Sequence, residues 1–133
     1  MTTQQNLDTK DCISPNHVAH EIADNVMPAK ANFRKSKTFV LAIAAGALIA
    51  FGAQVSLNVM TGTEAVSWGF AKLIGAMTFA TGLMMVVLTG AELFTGNVMM
   101  TFSVIEKKTS LAKLLRNWTI VYFGNFVGSV LLA

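Results

Sequence analysis

Apolar residues fill three long stretches of this chain, and the polar residues between them collect in short clusters rather than alternating with the apolar ones. The first stretch, residues 38–60, is long enough for one membrane-spanning helix. The second extends from Leu73 to Ile105. As one helix it would be roughly 50 Å long at about 1.5 Å per residue, against a bilayer hydrocarbon core of about 30 Å. The run must therefore break, and residues foreign to an apolar span stand together at Gly90-Ala-Glu-Leu-Phe-Thr-Gly-Asn97. A break at membrane depth is tolerated only where the loop is buried in protein or lines a wet cavity. The third stretch, residues 117–133, sits at the lower limit of the roughly 17 residues a crossing needs. It ends without a polar flank, as a chain cut off in mid-helix would.

The segments between the spans carry the topology. Residues 1–13 are polar and read as a flexible N-terminus. Ser14-Pro15 predicts a helix start, a capping side chain followed by proline in the first turn. Val18, Ile22 and Val26 then recur at spacing four beside Ala19 and Ala23, predicting an amphipathic helix to about Met27 on the membrane surface. Lys30, Arg34, Lys35 and Lys37 complete a basic flank, so residues 14–37 are expected to be cytoplasmic. Residues 61–72 read as an external loop, with Lys72 snorkelling to the interface. Residues 106–116 hold a second basic cluster of Lys107, Lys108, Lys113 and Arg116 and return the chain to the cytoplasm. The expectation is an all-α, multi-pass protein of the cell (inner or plasma) membrane, its N-terminus cytoplasmic and its second span, 73–105, broken at 90–97.

Composition agrees and excludes other classes. Hydrophobic residues make up 53% and charged residues 13% of the chain, about half the charged share of roughly 25% usual in soluble domains. The net charge of +3 is better read as a topology signal than as a nucleic-acid footprint, so no nucleic-acid partner is expected. The single cysteine, Cys12, excludes an intramolecular disulfide. No cleavable signal peptide is expected, because the first long apolar segment starts near Thr38 and is long enough to span. No nucleophile–base pair, phosphate-binding loop or redox motif is present, so the chain reads as a non-enzyme with no catalytic residue and no cofactor. His17, His20 and Glu21 approximate a metal-ligand spacing but read as solvated positions on a surface helix, and no metal site is expected.

At the break, a helix resuming near Val98 would leave its first amides unpaired and its positive dipole end exposed, a setting that favours anions. Thr95 or Asn97 could cap those amides, and Thr95 could equally hydrogen-bond a passing oxygen; the two roles are compatible. Glu92 would repel anions, and an acidic residue at mid-membrane costs about 2.5–3.5 kcal/mol. It is therefore expected to hold a structural partner, a loop amide or a polar residue of the third span. On their own chemistry Leu93 and Phe94 read as core packing. Ala42, Gly46 and Ala50 present a small-residue face, and Gly124 and Gly128 form a GxxxG element, both suited to close helix packing. Asn125, between those glycines, reads as interhelical glue.

The stretch Val87-Leu-Thr-Gly-Ala-Glu-Leu-Phe-Thr-Gly96 resembles the signature of the formate/nitrite transporter family. Arg116-Asn-Trp118 with Val121-Tyr-Phe-Gly-Asn125 resembles that family's third-helix segment, Phe79-Ala-Thr-Gly-Leu83 the stretch before its broken helix, and Ser14-Pro15 its amphipathic N-terminal helix. The resemblance implies an aquaporin-like helical bundle of which this chain supplies the first of two inverted repeats. It further implies a homopentamer with one pore per protomer, passing small monovalent anions such as formate, nitrite or hydrosulfide across the lipid bilayer. Leu93, Phe94 and Thr95 would then line the pathway, with Thr95 facing a histidine of the second repeat. Phe79 and Leu83 would form an apolar constriction, and Gly90, Glu92, Gly96, Asn97 and Val98 would shape the loop and the helix start after it. The signature continues Thr95-Gly96-Asn97 where better-known formate members carry Thr-Ser-Thr or Thr-Ser-Ser. The alternative set beside this reading is a truncated, non-transporting membrane anchor or assembly subunit.

Overall fold

The computed structural model describes residues 14–62 and 66–133. The expected flexible segment 1–13, with Cys12, and residues 63–65, with Glu64, lie outside the described residues. Those described are helical or in short connections, without a strand among them.

The chain enters through α1 (Pro15–Glu21), whose N-cap Ser14 accepts a hydrogen bond from the His17 amide while Pro15 fills the first turn. A π-helical turn, Ile22–Val26, joins it to α2 (Met27–Ala31). Proline at position 28 has no N–H to donate and its ring crowds the preceding turn; a wider turn just upstream lets the helix axis continue past it. The buried carbonyl of Ala23, within that turn, accepts a hydrogen bond from Ser103 Oγ at 2.7 Å.

Three long helices follow. Helix α3 (Lys35–Met60, 26 residues) and helix α4 (Trp68–Thr89, 22 residues) are both long and apolar enough to cross a membrane. At its N-terminus α4 stacks Lys72 Nζ over the Trp68 ring, 3.9 Å from the centroid. After the break come two short pieces, α5 (Phe94–Asn97) and α6 (Met100–Ile105). Helix α7 (Leu111–Leu132, 22 residues) closes the described chain. It starts six residues before the Asn117 boundary suggested by the apolar pattern, because Ser110 caps it and its first two turns carry Lys113 and Arg116. Those turns have partners outside the apolar layer: Lys113 Nζ donates to Asn32 Oδ1 at 2.7 Å and Arg116 Nη2 to the Ala31 carbonyl at 2.6 Å. Likewise α4 begins at Trp68 rather than near Leu73.

Helix α3 is the centre of the bundle, packed along both α4 and α7. Glycines make these contacts backbone-close. A Cβ at Gly46 would lie 2.1 Å from the Asn125 carbonyl oxygen, and one at Gly128 would lie 2.0 Å from that of Ile43. On the other side of α3, a Cβ at Gly82 would sit 2.9 Å from the Leu48 carbonyl oxygen. Such small-residue contacts suit helices that associate by packing and not by expulsion of water. The outer faces are apolar: Leu88, Leu131, Val87 and Ile105 are each more than 70% exposed. An apolar exterior of that extent suits lipid or further protein, not water.

Candidate functional site

The break in the second apolar run is built by one glycine and held by one asparagine. Gly90 adopts φ +64°, and its N–H bonds the Val87 carbonyl while that of Ala91 reaches back to Val86. This is the paired closing pattern of a helix ended by a left-handed residue. Nothing lies within 4 Å of a Cβ at Gly90, so only the backbone conformation demands glycine there. Gly90→Ala is accordingly expected to cost about 1 kcal/mol, read as a small drop in the melting midpoint of the detergent-solubilised protein. A loss several times larger would mean that the turn carries more than its φ angle.

Only residues 90–93 leave helical geometry before the chain turns helical again at Phe94. The helix thus resumes four residues before the expected Val98, which instead ends α5 at the turn into α6. Thr95 and Asn97 lie inside α5, and its N-cap, Leu93, offers no side-chain hydrogen bond. The capping group comes from the third long helix: Asn125 Oδ1 accepts from the Phe94 amide at 2.9 Å. Asn125 Nδ2 donates to the Glu92 carbonyl at 2.9 Å and to the Ala42 carbonyl of α3 at 2.8 Å. The Glu92 amide also bonds the Leu41 carbonyl of α3. These loop groups are thereby partnered within the protein, as an interruption at membrane depth requires.

Glu92 is completely buried. Its Oε2 accepts from Asn97 Nδ2 at 2.6 Å, and Oε1, which accepts no aligned hydrogen bond, is met by Lys30 Nζ at 3.2 Å. Asn97 Nδ2 also donates to Asn117 Oδ1 at 2.9 Å, its carbonyl accepts from Trp118 Nε1 at 3.1 Å, and its Oδ1 lies 3.5 Å from Lys30 Nζ. The acid is therefore held by an amide side chain of the loop region and a cation of the N-terminal helix. The third helix reaches its carboxylate only through Asn97. The pairing leaves Glu92 neutralised where a bare carboxylate would cost several kcal/mol.

Lys30 and the orienting pair Asn117 and Trp118 were not legible as site residues. Within the basic flank, Lys30 continues the spacing of Ile22 and Val26 by four more residues. That position on the apolar stripe is the sequence signal that separates it from Arg34, Lys35 and Lys37. Asn117 and Trp118 stand in the segment that resembles the family's third helix, but that likeness does not name their partners, which depend on how α7 lies across the loop.

Two cavities meet at the loop. One, of about 320 Å³, is lined by Ile22, Val26 and Lys30 from the N-terminal helices, by Leu83 and Gly90 from the end of α4, and by Leu93, Thr95 and Gly96. The other, of about 400 Å³, lies between α3 and α7, lined by Gly46, Ala50, Gln54, Leu93, Asn125 and Ser129. Leu93 lines both. The first is lined by the N-terminal helices and the last turns of α4, the second by the half of α3 that ends at Met60. Thr95 is exposed in the first cavity.

Among the residues singled out from the sequence, Leu83, Leu93 and Thr95 thus converge on one space. Phe79 lines neither cavity and is 43% exposed on α4. Phe94 turns the other way, against Trp118 and Tyr122 of α7 with ring centroids 5.8 and 5.9 Å apart. It pins the start of α5 and lines neither cavity. Gly124 and Gly128 face α3, a Cβ at Gly124 lying 2.4 Å from that of Ala42. Among the described residues no group of three or more His, Cys, Asp or Glu side chains is placed to hold a metal ion.

Comparison with known proteins finds matches over most of the chain. A family model described as "Formate/nitrite transporter" matches residues 17–133. The formate channel FocA of Haemophilus influenzae is 36% identical over 115 residues, covering 86% of this chain and 40% of that protein. FocA of Escherichia coli is 37% identical over 111 residues, 84% of this chain and 39% of its own length. The formate channel BtFdhC of Bacillus thuringiensis is 34% identical over 122 residues, 88% and 47%. The chain thus spans less than half the length of these curated relatives.

Proposed function

This chain belongs to the formate/nitrite transporter family, and we propose that it forms the first half of the wall of a membrane pore for small monovalent anions, formate foremost, with nitrite and hydrosulfide as further candidates. The observation that carries the reading is Leu93, held on a loop between two cavities and lining both. A path that runs from one cavity to the other passes this side chain. The second wall of the path is an inverted repeat in an aquaporin-like bundle, and five such protomers assemble side by side. The N-terminus lies in the cytoplasm, consistent with the basic residues at the start of α3 and α7.

In this arrangement the smaller cavity is the inner vestibule. Its walls are apolar apart from Lys30 and Thr95. Lys30 is already paired with Glu92, so the vestibule offers an anion a weak positive field and not a deep trap. That favours passage, because a site must bind loosely enough to release. The Thr95 hydroxyl is the donor closest in sequence to Leu93, and it supplies one hydrogen bond to an anion shedding water. A bare charge crossing an apolar aperture costs many kcal/mol, so protonation or charge sharing at the aperture lowers the barrier. The donor for that step belongs to the opposite wall.

Uptake of labelled formate into proteoliposomes by the full-length protein tests the proposal. Thr95→Val, which keeps the shape and removes the hydroxyl, is expected to lower flux about tenfold, the scale of one lost hydrogen bond to a charged group. Leu93→Trp is expected to block it. Undiminished flux in both variants would overturn the assignment of the pathway.

A further inference from the structure

Asn125 makes three hydrogen bonds, and two of them bracket a single residue. Its Nδ2 holds the carbonyl of Glu92 and its Oδ1 holds the amide of Phe94, the backbone groups on either side of Leu93. The remaining Nδ2 hydrogen goes to the Ala42 carbonyl on α3. Every donor of the amide, and one lone pair of its oxygen, is used with distances of 2.8–2.9 Å. The side chain therefore has one orientation, since a flip would set its oxygen against two carbonyl oxygens and its NH2 against the Phe94 N–H. Its anchorage is rigid as well. The Asn125 carbonyl lies against Gly46, and the Ser129 hydroxyl donates to that carbonyl at 2.5 Å.

From this geometry we infer that Asn125 is the positioning residue that sets the aperture at Leu93, and hence which anions are small enough to pass. The inference rests on the reading of Leu93 as the constriction. Leu93 itself is the non-helical N-cap of a four-residue helix and has no side-chain cap of its own. Its peptide neighbours are fixed by Asn125 on both flanks and by the Glu92 amide on the Leu41 carbonyl. Without Asn125 the Phe94 amide and the Glu92 carbonyl lose their shared partner at once. The loop then regains freedom about Leu93 while Glu92, through Asn97 and Lys30, keeps its own anchor. The result is a looser aperture on an intact bundle, which distinguishes positioning from general packing.

The test compares initial uptake of formate and of acetate, one carbon larger, in proteoliposomes of the full-length protein. Leu93→Ala is the reference and is expected to raise the acetate-to-formate ratio strongly. Asn125→Leu, which keeps the branching at Cγ and removes the hydrogen bonds, is expected to raise the ratio about tenfold, the scale on which one methylene is discriminated. In the Leu93→Ala background the same substitution adds little, because the side chain it positions is gone. Asn125→Ala, which removes the hydrogen bonds without adding volume, is expected to raise the ratio as well; it carries the test if the leucine variant fails to assemble. An unchanged ratio in both Asn125 variants, beside a raised ratio in Leu93→Ala, overturns the inference and leaves the pore reading standing. An unchanged ratio in Leu93→Ala overturns the reading beneath it.

Discussion

Replacing Lys30 with methionine is expected to destabilise the protein by about 3 kcal/mol, the lower end of the range for stranding one member of a buried ion pair. The lower end applies because the Lys30 side chain is 24% exposed while that of Glu92 is 1% exposed. The same asymmetry orders the related variants. With methionine at position 30 the carboxylate stays buried, with Asn97 Nδ2 as its single remaining partner, and that donor is shared with Asn117. Glu92→Gln removes the buried charge instead and leaves a lysine that can turn toward water, so its cost is expected to be about 1 kcal/mol. The double variant should be more stable than Lys30→Met alone, because no charge is left stranded. Melting midpoints in detergent, combined as a double-mutant cycle, measure this directly. Equal costs for the two single variants, or strict additivity, would show that the pair does not bear the load assigned to it.

The second large effect is expected at Gly128, where a single methyl group meets only backbone. A Cβ there would stand 2.0 Å from the Ile43 oxygen, 2.8 Å from its carbonyl carbon and 2.9 Å from the Ala47 nitrogen. Contacts of this kind normally settle near 3.5 Å, so α7 would have to withdraw from α3 by about 1 Å or more. Overpacking of side chains costs about 1–3 kcal/mol. Gly128→Ala should reach or exceed the top of that range because no flexible group can move aside. The displacement also carries Asn117, Trp118 and Asn125, all on α7, away from the loop they hold. Loss of stability should therefore be accompanied by loss of formate uptake in the protein that still folds. Gly96→Ala serves as the comparison, since a Cβ at Gly96 meets nothing within 4 Å. If the two substitutions lowered the melting midpoint alike, close approach of α3 and α7 could not be what requires glycine at 128.

Both effects concern residues whose importance the sequence showed unequally. Gly124 and Gly128 were visible as a small-residue pair because spacing four places them on one helix face, and that spacing survives in any bundle. Lys30 differs from the other cations ahead of the apolar span only by its place on the stripe of Ile22 and Val26. Its partner, 62 positions away, is reached because the N-terminal helices fold back beneath the broken helix, a fact no local pattern encodes. Asn97 shows the same limit from the other side. Next to a helix start it read as a cap, whereas in the fold it lies within the turn and bridges Glu92 to Asn117.

The sequence by itself determined that the chain is helical and apolar, that its second long run must be interrupted, and that the interruption begins at Gly90. These follow from length, periodicity and the chemistry of a few residues, all of which act locally. It also carried the family signature. Tertiary structure decided the rest: that the helix resumes at Phe94 and not at Val98, that Phe94 turns to the aromatic residues of α7, and that Leu93 alone among the loop residues lines both cavities. The physical reason is common to all three. Backbone groups freed by an interruption must find partners inside the protein, and those partners, the Asn125 side chain and the Leu41 carbonyl, come from helices distant in sequence. Their placement fixes which side chain stands between the two cavities.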